Sequence, residues 1–146
     1  MHTGKFISAP IPLNLGSKKD GFDRADVEIF GIDQSGASFE GRVFLNNPEA
    51  TLKTPLTAEQ GYAGSFHVYG YGIWPADAAA DSAAKPSASE AIRAPITKTV
   101  IATEAVRRAV AKGKEARVTV VPVFPGNPPR DAGDAFKLEG VRIIVH

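Results

Sequence analysis

The chain contains no cysteine. That absence excludes disulfides, thiolate metal sites and cysteine nucleophiles together. Histidine is scarce too: His2, His67 and His146 are the only three. A three-histidine metal site would need both ends of the chain to converge on His67. There is no excess of either charge. The 17 basic and 16 acidic residues leave a formal net charge of +1, too little to hold nucleic acid or an anionic membrane surface. No apolar run approaches the roughly 20 residues of a membrane span. Residues 1–16 hold no apolar h-region, so they do not read as a signal peptide. The expected location is the cytoplasm, or export in company with a partner. There is no GxGxxG loop, no GxxxxGK followed by Ser or Thr, no GxSxG elbow and no HExxH. Nothing assembles a nucleophile, a base and an orienting group. The sequence therefore predicts no catalytic residue, no metal ligand set and no enzyme activity of its own.

What is present is enough for one globular domain. A chain of 146 residues, 43% hydrophobic and 23% charged, buries a core without staples. The 14 glycines and 11 prolines predict short strands and many turns. The large amphipathic side chains are concentrated in Gly61–Trp74, which holds all three tyrosines, the one tryptophan and His67. Alternation sends Tyr62, Gly64, Phe66 and Val68 to one side of this strand. It sends Ala63, Ser65, His67, Tyr69 and Tyr71 to the other. Phe66 and Val68 are expected in the core. Tyr62, Tyr69, Tyr71 and Trp74 are the candidate contact or access-blocking residues, with His67 in support, because Tyr and Trp are favoured interface anchors.

Residues 1–23 read as an N-terminal arm or edge strand and 24–146 as a single β-sandwich domain. Ala25–Ile32 alternates and then changes parity, which predicts a bulge near Ile29–Gly31. Ser38–Leu45 follows a short turn, and the spacing predicts an antiparallel hairpin between the two. Residues 76–95 are Ala/Ser/Pro-rich and read as a flexible loop. Ile96–Ala102 is a β-branched strand. Thr103 is placed as the N-cap of a helix over Glu104–Lys112, with Gly113 just past its end. Arg107, Arg108, Lys112 and Lys114 read as a solvated basic face. Arg117–Phe124 is apolar on both faces, and Pro122 within it implies a bulge or an edge. Phe136–His146 closes the chain, with a bulge expected at Gly140. Strands do not alternate regularly with helices. The expected fold is all-β: an antiparallel, jelly-roll-like sandwich of six to eight strands with one short helix.

Two carboxylate pairs were weighed as sites. Asp26 and Glu28 share a strand face, and Asp131 and Asp134 share a loop. Neither pair has the further ligands or partners that calcium or glycosidase chemistry needs, so both read as solvated.

The order ADVEIFGID, SFEGRVFLNNP, GYAGSFHVYGYG, ITKTVIATEAVRRAV and ARVTVVPVFPGN resembles the C-terminal β-sandwich that follows the dicopper domain in molluscan hemocyanins and tyrosinase-like phenol oxidases. The resemblance runs from Arg24 to His146. Its marks are Tyr62–Gly70 and the strand-to-helix passage Ile101–Ala105. In that family six histidines on a helical bundle hold the copper pair. The sandwich packs over the bundle and can place a side chain at the copper entrance. Three histidines and no bundle cannot hold such a pair. The resemblance thus implies a non-catalytic accessory module, with no cofactor in this chain and copper only in a partner dicopper domain or protein. No nucleic-acid or membrane partner is implied, and homo-oligomerisation is left open. The second reading is a carbohydrate- or small-ligand-binding sandwich using the same aromatics.

Overall fold

The computed structural model describes residues 5–13, 22–34, 38–70, 95–125 and 136–146. Its elements in chain order are β1 (Phe6–Ile7), β2 (Ile11–Pro12), β3 (Ala25–Ile32), β4 (Phe39–Leu45), a 3-10 turn (Ala58–Gln60) and β5 (Tyr62–Val68). They continue with β6 (Ile96–Ile101), the helix α1 (Thr103–Lys112), β7 (Glu115–Ala116), β8 (Val118–Val123) and β9 (Gly140–Val145). A four-stranded antiparallel sheet, in the order β1-β8-β4-β5, faces a three-stranded one, in the order β6-β3-β9. β2 and β7 form a separate short pair. Among the described residues the expected all-β sandwich with one α-helix is what the chain forms.

The core lies between the two sheets. Val27 and Ile29 of β3, Val43 of β4, Val68 of β5, and Val118 and Val120 of β8 are almost wholly buried there. Phe39 is the hub of an aromatic group. Its ring meets Phe66 at 6.2 Å, Phe124 at 5.9 Å and Phe136 at 5.1 Å. Edge-on and tilted contacts of this kind match the ring quadrupoles and add to the area buried. Phe66 and Val68 are core residues, as their alternation predicts. The helix lays Ala105, Val106 and Ala109 on the same core.

Four local expectations need correction. β3 and β4 do not form a hairpin: among the described residues β3 pairs with β6 and β9, and β4 with β5 and β8. Each strand has one strongly apolar face. Placing them in opposite sheets lets both faces close one core. Gly140 is not a bulge: β9 pairs with β3 without a break, and Gly140 lies opposite Phe30, whose ring fills the place of a Cβ. The irregularity belongs to β3, at Gly31, where φ is 67° and the register to β6 shifts. Thr103 does not cap the helix. Ala102 holds the N-cap position, and the Thr103 hydroxyl accepts the amide of Ala25 at 3.2 Å. Gly113 follows the last helical residue, as expected, in extended geometry. Last, β5 stops at Val68, short of the expected Gly61–Trp74.

Pro122 is accommodated without a break in the pairing to β4. The described pairing of β8 with β1 ends at Val120, so the proline lies where only one side of the strand is laddered, as its missing N–H requires.

Candidate functional site

The outer face of the four-stranded sheet carries the described part of the aromatic stretch. Register fixes its rows. Val123, Glu40 and His67 lie side by side; then Val121, Arg42 and Ser65; then Thr119, Phe44 and Tyr62. Between the last two rows β5 bulges. Val43 opposes Gly64 while Phe44 opposes Tyr62, which leaves Ala63 extra. Gly64 has φ 141°, and Val100 Cγ1 would stand 2.6 Å from any Cβ there, so only glycine fits. The bulge reverses the expected facing of Tyr62 and Ala63. Ala63 packs on the main core, whereas Tyr62 turns to the outer face.

This splits the predicted site residues. Tyr62 is half-buried, edge-on to Phe44 at 5.6 Å, in a satellite cluster with Val121 and Ala50. The connection after β4 covers that end. Lys5 Nζ donates to the Pro48 and Ala50 carbonyl oxygens at 2.8 and 3.0 Å. His67 is at the opposite end of β5, about 17 Å from Tyr62 at the rise of a strand, and Tyr69 follows just past that end. Tyr69 is 78% exposed, and the Gly70 amide beside it donates to the Ser38 hydroxyl at 2.9 Å. His67 is exposed next to Glu40, whose carboxylate is paired with Arg42 at 3.2 Å. The structure therefore brings His67 and Tyr69 together and separates Tyr62 from them. Tyr71, Trp74 and the loop 76–95 lie outside the described residues, as do Asp131 and Asp134.

The three-stranded sheet presents a different outer face. Asp26 is 5% exposed. Arg24 grips its carboxylate with two hydrogen bonds, from Nε at 2.8 Å and from the terminal nitrogen at 3.1 Å. His146 Nε2 is 3.2 Å from Oδ2, the oxygen that the terminal nitrogen of Arg24 also reaches. The Arg24 guanidinium holds the Asp26 carboxyl below the usual range. Burial pulls the other way and is outweighed, and His146 adds to the lowering. Glu28 pairs with Arg142 at 2.7 Å, and Arg142 also lies over the Phe30 ring at 4.4 Å. Both carboxylates of this face are thus engaged by cations in structural pairs, not solvated alone. Sequence reading missed this network. The available signal was the basic and acidic alternation Arg24, Asp26, Glu28, with Arg142 and His146 at matching positions of the closing strand.

A dicopper centre does not fit these residues. His67 belongs to the outer face of one sheet and His146 to that of the other. Among the described residues no three histidine, aspartate or glutamate side chains converge on a metal position. No described helix is long and apolar enough to cross a membrane.

No family model matches the chain, and no curated protein matches it significantly. Solved structures do. Recombinantly expressed latent aurone synthase, a polyphenol oxidase, superposes with a TM-score of 0.55 at 17% identity, covering 97% of this chain and 24% of that one. Latent aurone synthase from its natural source superposes with a TM-score of 0.58 at 18% identity, covering 98% and 24%. Identity this low shows a shared fold. The chain corresponds to about a quarter of the length of the oxidases it matches.

Proposed function

We propose that this chain is a non-catalytic β-sandwich module that packs against a dicopper, tyrosinase-like oxidase domain and restricts access to its copper site. The observation that carries the reading is the lopsided coverage. Nearly the whole chain takes the fold of one quarter of a latent polyphenol oxidase. A sandwich with no convergent ligand set and no nucleophile–base pair among its described residues suits an accessory role beside a separate reaction centre. The surface that would meet the partner is the open end of the four-stranded sheet, where Tyr69 stands out and His67 is beside it. An exposed tyrosine offers a large, rigid contact area at small entropic cost. Tyr71 and Trp74 follow it in sequence and are the next candidates.

The test covers a partner domain joined in one polypeptide and one encoded alongside. A tagged chain is co-expressed with a dicopper oxidase encoded next to it, or joined to it where the two share a reading frame. Co-purification, together with altered oxidase activity or copper loading, is the expected result. An oxidase that neither co-purifies nor changes in activity or copper content contradicts the reading.

A further inference from the structure

Between α1 and the 3-10 turn lies a cleft of about 200 Å³. Its floor is made by the buried side chains of Leu45, Ala105 and Ala109. Arg108 and Lys112 stand over one side of it and Glu59 over the other. Positions 105, 108, 109 and 112 are spaced i, i+3, i+4 and i+7, so they share one helix face. The two alanines hollow that face, and the two cations overhang the hollow.

The charges around this cleft are unbalanced. Arg107 takes the one carboxylate of the helix, Glu104, at 2.7 Å, and also binds the Phe22 carbonyl. Arg108 and Lys112 make no ion pair or hydrogen bond with any described residue. They are like charges at i, i+4, an arrangement that disfavours an isolated helix. Glu59 is likewise unpaired among the described residues. Two positive charges and one negative charge leave the cleft with a surplus of one positive charge. The guanidinium supplies a planar fork of donors, and the ammonium supplies a mobile point charge. We propose that this cleft is a binding site for a carboxylate, with Arg108 and Lys112 taking the anion and Leu45, Ala105 and Ala109 taking a short carbon body. Glu59 limits the ligand to a single negative charge and favours one that also carries a hydroxyl or ammonium donor. The site is independent of the oxidase-covering role and stands or falls separately.

A carboxylate of this kind comes either from a free small acid or from an acidic side chain of another protein, and the experiment separates the two. The amide NMR spectrum of the whole chain is followed at low ionic strength with acetate, with benzoate and with a short capped peptide holding one glutamate. Benzoate should shift the Gln60, Ala109 and Lys112 amides saturably, with a Kd near 1 mM, and acetate more weakly because it leaves the floor bare. The double variant R108A/K112A should weaken binding about tenfold. K114A, which removes a cation outside the cleft, should leave it within about twofold. R108Q/K112Q repeats the test with the side-chain length kept. A peptide that outcompetes benzoate and loses affinity in R108A/K112A assigns the carboxylate to a protein partner; the reverse order assigns it to a small acid. Absence of saturable shifts up to about 50 mM of every probe, or equal affinity in R108A/K112A, overturns the proposal.

Discussion

Gly41 of β4 and Phe66 of β5 are register partners, and the Phe66 ring occupies the space a Gly41 side chain would take. A Cβ on Gly41 would come within 2.3 Å of the ring's tip. The ring cannot simply swing aside, because Phe39 packs edge-on to it and Phe39 also holds Phe124 and Phe136. Gly41→Ala should therefore destabilise the sandwich by about 2 kcal/mol or more through overpacking. Urea denaturation checks this. An unchanged midpoint would mean that the aromatic group repacks freely.

Tyr62 and Tyr69 are indistinguishable as candidates by residue type, and burial separates them: Tyr62 packs on Phe44 while Tyr69 stands in solvent. Tyr62→Ala removes a ring packed on Phe44 and should cost about 1–3 kcal/mol. Tyr69→Ala removes a ring that is mostly in solvent and should change stability by less than about 0.5 kcal/mol. Thermal melts of the two variants read the difference. Equal losses would contradict the assignment of Tyr62 to the satellite cluster.

Asp26 supplies a pH dependence of known sign. Its carboxyl is held below the usual range by Arg24, so the folded state binds the proton less readily than the unfolded chain. The stabilisation is fully present above the unfolded carboxyl pKa of about 3.9. It is lost as pH falls through the lower folded value. Asp26→Asn should lower the urea midpoint at neutral pH and flatten its decline below about pH 4. Wild-type and variant curves that stay parallel into acid would contradict the Arg24–Asp26 contribution.

The layers of the fold were legible because strand faces were. Ala25–Ile32, the 38–45 run and 117–124 each show an apolar face that only a sandwich core satisfies. Pairing was less legible. Proximity in sequence suggested a hairpin of β3 with β4, but burial of both faces in one core sent them to different sheets. Alternation alone also misplaced Tyr62. One extra residue at Ala63 inverts every facing before it, and a glycine is a weak marker of which residue bulges. The Asp26 network and the carboxylate cleft depend on residues distant in sequence, such as Glu59 against Arg108, and no local pattern joins them.

The covering role is tested most directly by the rate of diphenol oxidation. A copper-loaded tyrosinase-like dicopper domain, joined to this chain or encoded with it, is assayed alone, then with the chain at saturation, then after protease removes the chain. The expected result is at least about a tenfold lower rate with the chain, equivalent to ~1.4 kcal/mol on the barrier, with the rate restored by proteolysis and the inhibition weakened by Tyr69→Ala. A rate that is the same with and without the chain, at a concentration where binding is complete, would contradict it.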